Sequence, residues 1–386
     1  MVYLAIMKTI IQTINNTNPT KEELSVAAGI LQNGGLVAFP TETVYGLGGD
    51  GLRTDAAKKI YEAKGRPSDN PLIIHIADME SLSRLTNQVP EKARILADKF
   101  WPGPLTMIFP KNEQVPYGTT GGLETVAVRM PSHPVALALI RESGVLIAAP
   151  SANTSGRPSP TKASHVKEDL EHKIDMILDG GTVGIGIEST IVDMTQEPPM
   201  ILRPGYITKE MLEDAIGTVT IDKAILSKAD PSLKPKAPGM KYKHYAPKGD
   251  LTIYDGVTET VTSYISAQAK KELSAGKTVG IIATEETASL YKAALKEFLA
   301  SDSSLEAGED SAPLLSLKVI GSRKDEASIA HSLYSILREF DSSNTQIILS
   351  ECFSSDKLGQ AIMNRLLKAA GYQIIHLKEG DSYDEL

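Results

Sequence analysis

Apolar residues arrive in short blocks separated by glycine, proline and hydroxyl side chains, with helically spaced stretches between them. The blocks Thr9–Ile14, Leu36–Phe39, Leu72–Ile76, Leu105–Phe109, Val126–Val128, Val145–Ala149, Ile174–Leu178 and Met200–Leu202 predict strands. Helical patterning runs from Thr20 to Leu31, Thr54 to Ala63, Pro90 to Phe100 and Pro134 to Arg141. Thr20 with Glu23 is a capping-box pattern that opens the first of these helices, and Gly34-Gly35 stops it. Pro40 to Arg53, rich in hydroxyls and glycines, predicts a loop. Short strands mixed with helices at uneven spacing imply an α/β sheet of mixed direction.

The pattern changes after residue 216. Residues 217–248 carry Pro231, Pro235, Pro238 and Pro247 with many lysines and little apolar periodicity, which predicts a semi-rigid linker. From 249 to 386 strands and helices alternate regularly. Strands are expected at Leu251–Tyr254, Thr278–Ala283, Leu317–Ile320, Gln346–Leu349 and Ile374–His376, with helices over 325–340 and 356–370. That order predicts a smaller Rossmann-like parallel α/β domain. The expected division is therefore a domain over 1–216, a linker over 217–248 and a second domain over 249–386.

Composition narrows the functions available. With 386 residues, 41% hydrophobic and 23% charged, the chain reads as a globular protein of two domains. A formal net charge of −8 argues against broad charge-driven binding of nucleic acid, though not against a local basic pocket. The single cysteine, Cys352, excludes an intramolecular disulfide and a cysteine-based zinc cluster. No apolar run reaches the ~20 residues of a membrane span, and the expected location is cytoplasmic.

Within the opening loop, Gly46, Gly48 and Gly51 match a dinucleotide fingerprint by letter, but Pro40–Tyr45 stand between them and the strand, so that reading is rejected. Lys64 and Arg66 flank Gly65 at a helix end, an arrangement suited to a polyanion such as a nucleotide triphosphate, or simply to a solvated helix terminus. His75, inside an apolar run, reads equally well as a core histidine or a ligand contact. Arg129 ends a strand, where a guanidinium suits a small carboxylate. Ser151 and Asn153 follow the apolar strand Val145–Ala149, and Ser189, Thr190 and Arg203 sit at strand edges in the same way. No Ser-His-Asp order, metal-ligand cluster or paired carboxylates are evident, which points to chemistry by orientation and electrostatic stabilisation of phosphate.

Taken together, P-T-E-T-V-Y-G-L-G (40–48), K-G-R-P-S-D-N-P-L (64–72), P-S-A-N-T-S-G (150–156), E-S-T-I-V-D (188–193) and L-R-P-G (202–205) resemble the YrdC-type domain. The linker string P-G-M-K-Y-K-H-Y-A-P (238–247) and the C-terminal block make the chain similar to the long, two-domain form of the threonylcarbamoyl-AMP synthase family. The resemblance implies a twisted, mixed sheet around a large concave pocket. It implies formation of L-threonylcarbamoyl-AMP and pyrophosphate from ATP, L-threonine and bicarbonate or CO2, with Mg2+ on the ATP phosphates. The product would pass to a threonylcarbamoyl transferase complex that modifies tRNA, with tRNA an indirect target and no membrane involved. Lys64 and Arg66 would be catalytic and bind ATP, alongside Asn70, Thr125, Ser151, Asn153, Ser159, Arg203, Tyr242, His244 and Tyr245. Thr43, His75, Arg129, Ala149 and Ser189 would surround threonine, and Tyr242, His244 and Tyr245 would fold over the pocket. Two rival readings are an RNA-binding module and a carbamoyl-transferring or phosphate-hydrolysing enzyme that shares the pocket.

Overall fold

The capping box forms as its chemistry requires. The Thr20 hydroxyl accepts the Glu23 amide and the Glu23 carboxylate accepts the Thr20 amide, starting the helix Lys21–Gln32. The computed structural model describes residues 8–225, 237–238, 244–301 and 314–378, and the chain divides into two units, residues 1–242 and 243–386.

In the first unit the strands are β1 (Ile10–Thr13), β2 (Val37–Phe39), β3 (Gly46–Asp50), β4 (Ile73–His75), β5 (Leu105–Pro110) and β6 (Thr125–Arg129). They continue with β7 (Ile147–Ala148), β8 (Met176–Asp179), β9 (Thr190–Asp193), β10 (Met200–Arg203) and β11 (Thr220–Ile221). All join one eleven-stranded sheet in the order β1-β8-β2-β3-β7-β4-β6-β5-β9-β10-β11, mixing parallel and antiparallel pairs as expected. The sheet runs on past residue 216, because β11 pairs in parallel with β10.

β3 corrects the reading of 40–53 as a loop: its residues form a strand, antiparallel to both β2 and β7. The glycines are there for space. A Cβ on Gly48 would lie 2.8 Å from both Ile147 Cγ2 and Phe39 Cε1. A bare Gly48 is what fits between those two groups, and this glycine-rich strand carries none of the β-branched signal by which strands are recognised.

Helices Lys21–Gln32 and Pro134–Ser143 cover the β8-β2-β3-β7 part of one face, burying Val37, Phe39, Ile147, Met176 and Leu178. Helices Thr54–Lys64, Glu91–Phe100, Ala163–Leu170 and Lys209–Ile216 pack on the larger core, which includes Ile74, Met107, Val128 and Val192. The alternate residues of those strands, Ile73, Ile108, Ala127 and Ile191, point the other way into a small separate cluster with Leu202 and Ala237.

The second unit is an all-parallel sheet of β12 (Asp250–Asp255), β13 (Val279–Ala283), β14 (Leu315–Val319), β15 (Ile347–Glu351) and β16 (Ile374–His376). Its order is β14-β13-β15-β12-β16, with helices between successive strands. Among the described residues, no helix is long and apolar enough to cross a membrane.

Candidate functional site

The small apolar cluster marks the floor of the candidate site. Side chains alternate along a strand, so β4 presents Ile73 and then His75 on this face, and β6 presents Thr125, Ala127 and Arg129. β4 and β6 run parallel with His75 opposite Arg129, and β5 lies antiparallel on the far side with Thr106 opposite Arg129. Polar groups therefore converge at one end of the face, with Ile73, Ile108 and Ala127 between them and Thr125, which lies about 13 Å along the strand from Arg129.

At the polar end Arg129 is buried, and its Nη1 donates to the Thr43 hydroxyl at 2.9 Å. Its Nη2 lies 2.7 Å from Glu42 Oε1, yet neither Nη2 nor either Glu42 oxygen has an aligned hydrogen-bond partner. The ion pair is close but out of line, so a guanidinium N–H stays open to a second acceptor. Burial pushes the Glu42 carboxyl up, and the Arg129 guanidinium together with the backbone at Glu42 and Ser132 outweighs this, holding it below the ordinary value. The Thr41–Tyr45 loop that carries these groups is stapled from several sides. The Ile185 and Gly186 amides donate to the carbonyls of Glu42 and Thr43, the Ala152 amide donates to that of Tyr45, and the Thr41 hydroxyl donates to Val44.

His75 is a buried histidine at the polar end, with Nδ1 3.2 Å from the Ile73 carbonyl and the ring edge-on to Phe39. Burial and then the Arg129 charge lower it to about 3, so it is neutral at physiological pH. The Ala149 amide donates to Ile73 beside it. The Ser189 hydroxyl lies 2.8 Å from that of Thr106 and accepts from Arg203 Nη2 at 3.1 Å, while Arg203 Nε donates to the Ser189 carbonyl. Ser189, expected at threonine, and Arg203, expected at ATP, thus touch. Gly205 closes the L-R-P-G turn, where a Cβ would stand 2.4 Å from the Thr190 amide nitrogen.

The expected phosphate cations are placed differently from a solvated helix end. The helix Thr54–Lys64 stops at Gly65, which is left-handed with φ 60°, and Lys64 turns inward to 1% exposure. Its ammonium donates to the Ser151 and Asn153 carbonyls, both at 2.5 Å, so it ties the 151–153 loop to the helix. Arg66 is half-buried and donates to the Asn70 and Pro71 carbonyls at 3.3 and 3.1 Å. Asn70 Oδ1 is buried without a partner. The Ser151 hydroxyl donates to Asn153 Oδ1, and the Ser159 hydroxyl to Glu188. Tyr242 lies outside the described residues. His244 and Tyr245 belong to the second unit, where Tyr245 stacks on Tyr334 with ring centroids 5.2 Å apart.

Residues 29–205 match the family described as "Telomere recombination", and residues 207–371 match "Threonylcarbamoyl-AMP synthase, C-terminal domain". The threonylcarbamoyl-AMP synthase of Bacillus subtilis is 48% identical over 92% of this chain and 94% of its own length. That of Schizosaccharomyces pombe is 39% identical over 91% and 89%. The chain belongs to the threonylcarbamoyl-AMP synthase family. A crystal structure of Pyrococcus abyssi Sua5 complexed with L-threonine superposes with a TM-score of 0.84 at 44% identity, covering 96% of this chain and all of that one.

For a threonylcarbamoyl-AMP synthase, sequence reasoning passed over Glu42, Thr106 and Glu188. Two of these stand inside the motifs themselves, P-T-E-T and E-S-T-I-V-D, without being singled out as site residues. Thr106 had no signal except its alternation with Ile108. Among the described residues, no group of three or more His, Cys, Asp or Glu side chains is arranged to hold a metal ion.

Proposed function

We propose that the first unit joins L-threonine, bicarbonate or CO2 and ATP into L-threonylcarbamoyl-AMP and pyrophosphate, for threonylcarbamoyladenosine at position 37 of tRNAs reading codons that start with A. The observation that carries this is the polar end of that sheet face. A buried guanidinium with an open N–H stands there beside the Thr43 and Ser189 hydroxyls, a setting for an amino-acid carboxylate and side-chain hydroxyl. The L-threonine held by the Pyrococcus abyssi relative supports the same substrate.

The threonine amine would take up CO2 to give an N-carboxylate, which attacks the α-phosphorus and displaces pyrophosphate. Arg129 would fix the carboxylate of threonine. Arg66 would face the departing pyrophosphate, while Lys64, among the carbonyls of Ser151 and Asn153, would set the 151–153 loop against the nucleotide. Neither His75 nor Glu42 suits a general base: the first is lowered to about 3 and the second is held ionised by Arg129. Mg2+ would supply charge neutralisation on the triphosphate. It would be held chiefly by phosphate oxygens and water. Tyr242, His244 and Tyr245 are proposed to help exclude water from a hydrolysis-prone product. A downstream transferase would use that product on tRNA.

The test is mass detection of threonylcarbamoyl-AMP from ATP, bicarbonate and L-threonine, with wild type and Arg66→Ala. The variant is expected to lose about 10²–10³-fold in threonine-dependent pyrophosphate release, the scale of one transition-state donor. Normal turnover by Arg66→Ala would overturn its assignment.

A further inference from the structure

The parallel sheet of the second unit reverses the direction of its connections between two neighbouring strands. From β12 the chain crosses to β13 on one side, while from β15 it crosses to β16 on the other. Right-handed crossovers then place the helices that follow β12 and β15 on opposite faces. A crevice opens at the carboxyl ends of such a pair, and open α/β sheets take their ligands there. Here the crevice is a cavity of about 310 Å3, walled by the ends of β12 and β15 together with Arg323. That volume is at the lower bound of small-molecule sites, so the ligand it admits is small.

Its walls carry both signs of charge. Glu351 is 1% exposed, with Oε1 accepting from the Thr287 hydroxyl and Oε2 from Arg323 Nη2. This fixes the guanidinium in the wall, over the Phe353 ring, with 38% of its side chain still open. The helix Thr258–Ser274 begins at the cavity, and Val257 gives its first amides no side-chain cap. Asp255, 44% exposed and paired with His376, brings a carboxylate to the same space. A simple anion would meet Asp255 as a repulsive neighbour, whereas a molecule bearing both charges matches both partners.

We propose that this cavity binds a small zwitterion of α-amino-acid size, its carboxylate toward Arg323 and the helix amides and its ammonium toward Asp255. Cys352, whose thiol burial pushes up to about 12, lines the wall as a protonated bystander, so the site binds without covalent chemistry.

The experiment is isothermal titration of the full chain with each of the twenty L-amino acids and with inorganic phosphate, on wild type, Arg323→Met and Asp255→Asn. One amino acid is expected to bind wild type in an event weakened at least tenfold by each substitution. If that amino acid is L-threonine, the stoichiometry should fall from two to one. Arg323→Lys keeps Glu351 paired and serves if Arg323→Met fails to fold; it should weaken the event by losing the planar fork. The proposal is overturned if no amino acid binds beyond one L-threonine, if the second event is indifferent to the substitutions, or if phosphate alone saturates the site.

Discussion

In the eleven-stranded sheet the converging polar side chains, His75, Thr106, Arg129 and Ser189, stand on or beside a strand face. In the five-stranded sheet Asp255, Glu351 and Arg323 gather at strand ends. The difference follows from strand direction. Every connection in the parallel sheet is a crossover helix, and crossovers on both sides cover both faces, leaving only the ends open. The mixed sheet joins several neighbours antiparallel, so part of one face can stay free of helices and be lined by alternate side chains. Both units hold an arginine–glutamate pair in their polar region, but Arg129 is 5% exposed in its side chain and Arg323 38%.

That pair of arginines gives the largest effect. Arg129→Met leaves Glu42 charged and buried, and should cost about 3–5 kcal/mol in denaturant unfolding of the first unit. Adding Glu42→Gln should recover much of the loss. Arg323→Met should cost less, because Glu351 keeps the Thr287 hydroxyl as a donor when the guanidinium is gone, whereas Glu42 keeps no aligned side-chain donor; equal losses would erase the distinction between the two pairs. A middle-sized effect concerns pH. His75 is neutral in the fold at values where the unfolded chain is protonated, so the unfolded state binds the extra proton. Stability should therefore fall as pH drops from about 6.5 toward about 3. Glu42, with its lowered value, adds a loss of the same sign at more acid pH. His75→Asn should flatten the change in urea midpoint between pH 7 and pH 5; an unchanged slope would show that His75 is not held neutral. The smallest effect is Thr20→Ala, about 1 kcal/mol from the lost cap. It should move the unfolding of the first unit and leave threonine-dependent pyrophosphate release unaltered.

Thr20 was legible because a cap is a local event between near neighbours. The strands of the second unit were legible for a related reason: Val279–Ala283, buried on both faces, is a plain apolar run. Other features needed the third dimension. Lys64 read as a phosphate ligand or a solvated helix-end cation, and only the return of the chain at 151–153 brings the carbonyls that enclose it. Arg129 could be marked as a carboxylate ligand, but its partner Glu42 comes from 87 positions earlier in a loop whose shape was not evident. The strand reading of Val145–Ala149 was too long, since only Ile147–Ala148 pair within the sheet.

Gly48 and Gly205 carry a further consequence. Each stands where a single added carbon would strike a neighbour, one against Ile147 and Phe39, the other against the backbone at Thr190. Half of what makes these motifs recognisable is thus clearance rather than reactivity. A descendant of this chain could exchange Arg66 or Ser189 for other side chains and inherit the same sheet with a new purpose. One that exchanged Gly48 or Gly205 would have to rebuild the sheet first. The glycines set the order in which such a lineage can change, and they would still mark kinship in a relative that had lost the chemistry.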